Sequence, residues 1–161
     1  MKVVPPLGIG RLVYRVLTLR WPRVFGIRLV AAPRLVGAPQ SYEEIKSRVT
    51  DALTLLGKVS PEKLRRAQTH LIAIFVDDEP RVVDGYLQQC GAHKLTMKTL
   101  AQHSAEQLAG SIVFGATWAY LEDSRVSSGK PHRRGFAAAR ADLNFRIRAA
   151  NAANGSGLTS A

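Results

Sequence analysis

The sequence predicts an all-α protein in which residues 41–123 form a small helical bundle between two basic segments, residues 1–40 and 124–161. Apolar residues after Ser41 recur at the spacing of a helix that buries one face. Ser60-Pro61-Glu62 and Ser104 have the composition of helix starts, because serine suits the N-cap and proline suits the first turn. A chain of 161 residues is long enough for one such domain with extensions.

The net charge of +11 lies at the two ends of the chain. Residues 1–40 contain seven Lys/Arg and no acid, residues 41–123 contain nine basic and eleven acidic residues, and residues 124–161 contain seven basic residues and one acid. Basic ends of this kind are attracted to polyanions such as RNA, anionic lipid or acidic proteins.

The first segment, residues 1–40, has two interpretations. Its lack of acids and its amphipathic stretch from Arg11 to Arg20 are typical of a mitochondrial transit peptide. The absence of serine before Ser41 instead favours a basic anchoring arm that is never removed. No apolar run in it approaches the roughly eighteen residues that a membrane-spanning helix needs.

The bundle begins with a capping box, in which Ser41 and Glu44 each satisfy a backbone amide of the other's turn. A helix follows it and is expected to stop at Gly57. Ser60 then caps a second segment, and residues 64–76 read as a continued helix or as a buried loop.

A third element is expected to start at Asp77 and Asp78 and to end at Gly91, with residues 95–99 as a short connector. Ser104 caps the closing helix, residues 105–120. The apolar residues on the inner faces of these helices form the expected core: Leu53, Leu56, Val83, Leu87, Leu108, Ile112 and Trp118.

The second basic segment, residues 124–161, is predicted to be largely irregular. Residues 124–136 are rich in turn formers and read as an arm. Residues 137–150 predict one short basic helix, and the tail after it has little to bury.

Four short motifs in the middle of the chain occur in the order found in one known family. They are 57-GKVSPEKL-64, the pair Thr69-His70 followed by Leu71, 78-DEPRVVD-84 and 105-AEQL-108. Over about residues 41–120 the chain resembles an acyl carrier protein of the mitochondrial type. The resemblance implies a four-helix bundle with a long loop after its first helix.

The resemblance fails at the position that carries the family's chemistry. Glu79 stands where the family has the serine that holds phosphopantetheine, and Pro80 follows it in place of leucine. No other serine lies between Ser60 and Ser104, so we expect no cofactor. What the resemblance leaves is a protein-docking face for subunits of a complex, including a small helical L-Y-R-motif protein, at Asp77, Asp78, Glu79 and Asp84. The alternative is a solvated helix start whose acids match the helix dipole.

The pattern of reactive residues predicts a protein that is not an enzyme. We find no nucleophile paired with a base, no glycine-rich phosphate loop and no metal-ligand spacing among the four histidines and Cys90. The predicted function is that of a structural or adaptor subunit of a large mitochondrial assembly. The preferred assembly is the mitochondrial ribosome. The alternative is an accessory subunit of a respiratory-chain or ATP-synthase complex, whose basic ends contact lipid or acidic subunits.

Contact with RNA is assigned to the basic ends, because arginine and lysine neutralise phosphate without reading sequence. The candidate residues of the second segment are Arg125, Lys130, Arg133, Arg134, Arg140, Arg146 and Arg148. Aromatic residues lie among the cations of both ends and either stack on bases or pack on protein: Trp21, Phe25, Phe136 and Phe145.

Overall fold

The computed structural model describes residues 7–31, 42–77, 88, 90–123 and 131–155. Six helices occur in these residues: α1 (Leu7–Leu17), α2 (Tyr42–Val59), α3 (Pro61–His70), α4 (Met97–Gln102), α5 (Ala105–Asp123) and α6 (Pro131–Gly155). They also contain four strands: β1 (Arg23–Val24), β2 (Ile27–Ala31), β3 (Ala73–Val76) and β4 (Ala92–Leu95). The expectation of a mostly helical chain is confirmed, but the all-α class is corrected by a four-stranded sheet.

The sheet has the strand order β1-β2-β3-β4. An antiparallel hairpin joins β1 to β2, and its turn residues Phe25 and Gly26 both have positive φ, as a tight hairpin turn requires. Strand β2 then pairs in parallel with β3, and β3 in parallel with β4. Parallel pairs need a long crossover, and α2 and α3 lie between β2 and β3 in the chain. Residues 27–31, assigned above to a basic N-terminal segment, are therefore an inner strand.

The hydrophobic core joins one face of the sheet to the helices. Leu29, Ile74 and His93 lie side by side in the strand register, and the two aliphatic residues belong to the same buried cluster as α2 and α5. Four expected core residues are at most 1% exposed, which confirms them: Leu53, Leu56, Leu108 and Ile112. Trp118 is half-buried, and Val83 and Leu87 lie outside the described residues.

The region after α2 departs from the expectation. Helix α2 continues past Gly57 to Val59, so Gly57 does not end it. Helix α3 starts at Pro61 as expected, but it ends at His70 and β3 follows. The continued helix is correct as far as His70, and neither alternative predicted β3. Helix α3 and strand β3 lie where the family resemblance implies a long loop.

Three serines were expected to cap helices by their side chains, and the structure supports one of them, Ser104. The Ser104 hydroxyl accepts a hydrogen bond from the Gln107 amide at 3.2 Å, and the Gln107 side chain accepts one from the Ser104 amide at 2.9 Å. This reciprocal pair is a capping box. Ser60 occupies the N-cap position of α3, but its buried hydroxyl has no partner in the described residues. Ser41 lies outside them.

The C-terminal segment is helical over 25 residues, not largely irregular. Helix α6 buries Ala138, Phe145 and Ala149 along one side, and this packing stabilises a helix longer than the expected residues 137–150. It approaches α5 closely at Gly110, where an added Cβ would overlap the carboxylate of Asp142. None of the helices in the described residues is long and apolar enough to cross a membrane.

Candidate nucleic-acid interface

Three of the arginines predicted to bind RNA are paired with carboxylates. Arg134 pairs with Glu122 of α5, and Arg146 makes two hydrogen bonds to Asp142, at 2.7 and 2.8 Å. Arg148 Nη1 lies 3.4 Å from Oε1 of Glu62 in α3. These acids neutralise the first two guanidinium groups at close range, so Arg134 and Arg146 are poor candidates for RNA contact. The Arg134 pair joins α6 to α5, whereas the Arg146 pair lies within α6.

Two other predicted residues, Arg133 and Arg140, are exposed and have no carboxylate partner in the described part of the chain. Phe136 lies between them in the sequence and is 73% exposed. Spacings of three and four residues put the three side chains on one side of α6. Two exposed aliphatic residues continue this stripe, so the outer face of α6 comprises Arg133, Phe136, Arg140, Leu143 and Ile147.

A second group of cations lies where α3 meets α6. The Lys63 ammonium donates a hydrogen bond to the carbonyl of Ala141 in α6, at 3.1 Å. Burial lowers the pKa of Lys63, and the positive charges of Arg148 and Arg66 lower it further. Arg148 and Arg66 are each close enough to Lys63 to repel its charge, while Glu62 and Asp142 act in the opposite direction.

Lys63 and Arg66 were not among the predicted RNA-binding residues, because the middle of the chain is acidic as a whole. A local signal existed, since residues 62–66 contain three cations and one acid. Arg125 and Lys130, which were predicted, lie outside the described residues.

An ion-paired cluster connects α3 to α1. His70 Nδ1 lies 2.7 Å from the Asp123 carboxylate, and Arg11 of α1 pairs with the same carboxylate. Burial is the largest cause of a lowered pKa at His70, followed by the charges of Arg11 and Arg66. The lowered pKa favours the neutral ring, and Nδ1 must carry a hydrogen to donate to the Asp123 carboxylate. Asp123 is the only side-chain hydrogen-bond partner of His70 within the described ranges, so the pair joins helices and does not activate a nucleophile.

The aromatic residues of the basic ends divide between packing and exposure. Phe145 is fully buried, and the Trp21 ring lies 6.5 Å from that of Tyr42, so both pack on protein. Phe136 is the most exposed of the four, and Phe25 is 40% exposed at the hairpin turn.

Of the four acidic residues predicted to form a protein-docking face, only Asp77 lies within the described residues. Asp77 follows β3, is half-buried, and its amide donates to the carbonyl of Leu95 at 3.0 Å. Asp78, Glu79 and Asp84 lie outside the described residues.

The described residues contain no group of three His, Cys, Asp or Glu side chains that could hold a metal ion. No protein-family model, curated protein or solved structure matches the chain.

Proposed function

We propose that the protein is a non-catalytic structural subunit of a large mitochondrial assembly, in the first place the mitochondrial ribosome, and that it contacts RNA. One observation carries the RNA contact. The outer face of α6 combines two exposed arginines that have no carboxylate partner in the described residues with Phe136, which is 73% exposed.

This combination suits a flexible single strand of RNA. Arginine neutralises phosphate and releases counterions, and an exposed aromatic ring offers a stacking surface worth about 1–3 kcal/mol per base. Arg133 and Arg140 lie seven residues apart, roughly 10 Å along the helix axis, so they reach different phosphates. Lys63, Arg66 and Arg148 extend the positive surface from α6 onto α3.

The mitochondrial setting rests on the sequence. Residues 1–40 contain no acid, and the motifs of residues 57–108 resemble a mitochondrial acyl carrier protein. In this proposal Asp77, Asp78, Glu79 and Asp84 meet a protein neighbour, and the attachment position is Glu79, so no phosphopantetheine is carried.

Charge-matched variants test the RNA contact. Arg140→Gln and Arg146→Gln each remove one positive charge from the same helix, but only Arg146 is paired with an acid in the described residues. We expect Arg140→Gln to weaken binding to single-stranded RNA and to reduce the salt slope by about 0.7, with Arg146→Gln close to wild type. Phe136→Ala should weaken binding with an unchanged slope. Fluorescence anisotropy across a salt titration measures both quantities. Equal losses for the two arginine variants would contradict a specific α6 face.

The choice of assembly needs a separate measurement. The tagged protein is expected to sediment with ribosomal particles from mitochondrial extract and to be released by RNase. Sedimentation with a respiratory-chain or ATP-synthase complex, unchanged by RNase, would instead support the accessory-subunit alternative.

A further inference from the structure

Helix α1 has an unusual orientation on the protein. Among its described side chains, the polar Arg11 faces the body of the protein and is 19% exposed. The four aliphatic residues of α1 whose side chains are described face outward, with exposed fractions of 63% for Leu12, 45% for Val13, 57% for Val16 and 64% for Leu17. An amphipathic helix on a globular protein ordinarily buries its apolar side, whereas these four aliphatic side chains are exposed.

Polar contacts hold α1 in this orientation. Arg11 pairs with Asp123 of α5 and donates to the His70 carbonyl at the end of α3, at 3.4 Å. Just after the helix, Thr18 is buried at 2% exposed, and its hydroxyl donates to the carbonyl of Arg15 in the last turn of α1 itself. These contacts leave the outward face, defined as Leu12, Val13, Val16, Leu17 and the adjoining Leu19, accessible to a partner. Contiguous exposed apolar residues of this kind mark interaction sites.

The surroundings of this face are basic. Arg15, Arg20 and Arg23 are exposed beside it, and residues 1–40 contain no Asp or Glu. A cleft of about 350 Å³ adjoins the face at Leu19 and receives Arg15, Arg23 and Arg28. The other residues described along the cleft are neutral: Gly26, Gln68, Thr69, Leu71 and Ile72.

We propose that the outward face of α1 binds the surface of an anionic phospholipid bilayer, with a headgroup phosphate in the arginine cleft. Aliphatic side chains next to arginines match a membrane interface, where acyl chains lie below anionic headgroups. RNA would leave the aliphatic side chains in water, so charge and apolar surface together favour lipid. The inference is independent of the RNA contact, which uses α6.

Vesicle flotation of the full chain tests the aliphatic part of the proposal. Leu12→Gln with Val16→Gln removes two exposed aliphatic residues four positions apart on α1. The control, Leu143→Gln with Ile147→Gln, removes a matched pair, 58% and 51% exposed, from α6. With vesicles of phosphatidylcholine and phosphatidylserine, we expect the α1 variant to bind at least about tenfold more weakly and the control to match wild type. Similar losses in both variants would overturn the proposal.

A separate set of measurements tests the role of the arginines. Arg15→Gln with Arg23→Gln should lower binding to anionic vesicles and flatten its salt dependence, and pure phosphatidylcholine vesicles should bind little wild-type protein. Equal binding to both kinds of vesicle would overturn the proposal. An α1 variant that keeps vesicle binding but loses RNA binding would also overturn the proposal. A lipid-free wild-type dimer in light scattering that the α1 variant converts to monomer would also overturn it, because a second copy would then cover the face.

Discussion

The imidazole of His93 occupies the space beside α5 that a side chain at position 115 would fill. An added Cβ on Gly115 would overlap the ring, and His93 Nε2 lies 3.0 Å from the Ser111 hydroxyl one turn earlier in the same helix. Strand β4 and helix α5 are therefore fitted together by a glycine and a buried, hydrogen-bonded histidine.

Gly115→Ala should destabilise the protein by about 1–3 kcal/mol, because the ring must move in a packed core. Gly57→Ala is the comparison, since there the nearest atom is a side-chain methyl carbon of Leu64, 3.1 Å away, and alanine favours a helix. We expect its effect to stay below about 1 kcal/mol. Urea unfolding followed by circular dichroism gives both values. A larger loss at position 57 than at 115 would contradict this packing.

Acid should destabilise the fold through His93. Burial lowers the pKa of His93 to about 4, whereas an unfolded chain has a histidine pKa of about 6.5. Between these values the unfolded state binds the proton and the folded state does not, so stability falls as pH decreases from about 6.5 to about 4. The loss attributable to His93 is on the order of 3 kcal/mol.

His93→Gln isolates this effect, because glutamine does not titrate and keeps a hydrogen-bonding group near Ser111. Wild type should lose more stability than the variant between pH 6.5 and pH 4 in urea titrations, while His70 titrates in both proteins. Parallel pH profiles for the two proteins would rule out His93 as the source.

Asp123→Asn should loosen α1 without unfolding the protein. Arg11 would lose an ion pair and His70 a hydrogen bond to the carboxylate, and a partly exposed ion pair contributes up to about 1 kcal/mol. We expect trypsin to cleave after Arg15 and Arg20 roughly fivefold faster, since local opening becomes easier. Glu43→Gln removes an exposed pair with Lys46 and serves as the control. Unchanged cleavage in Asp123→Asn would show that other contacts hold α1.

Leu53→Ala and Leu108→Ala should each cost about 2–5 kcal/mol, because both side chains are almost fully buried in one cluster. Leu12→Ala, at a side chain that is 63% exposed, should have little effect on the free energy of unfolding. If the buried leucines were as tolerant as Leu12, this core would be wrongly assigned.

Local signals predicted helices α2 and α5 and failed for the sheet. The periodicity around Leu53 and the Ser104-Gln107 box are contained within a few residues, so sequence alone exposes them. Strand β3 is only four residues long, and a short apolar run does not distinguish a strand from the end of a buried helix. Its partner β2 lies more than forty residues earlier, within a segment that reads as basic, and no local pattern records that pairing.

The candidate RNA-binding residues of α6 could also be predicted only in part. Arg133 and Arg140 were identified from composition, and the structure leaves them exposed. The pairing of Arg146 with Asp142 follows from their spacing of four residues on a helix and was available from the sequence. The partner of Arg134 is Glu122 on another helix, so only the tertiary structure removes that arginine from the candidates.

The position of β2 inside the sheet restricts where the chain could be processed. A cut near residue 40, as the transit-peptide interpretation suggests, would separate β1 and β2 from the rest of the protein. Strand β3 would then lose its pairing with β2 along residues 73–76. It would become an exposed edge strand that could pair with another chain. A cut before Arg23 would spare all four strands, although it would detach α1. A mature form that keeps this sheet must therefore begin upstream of the hairpin.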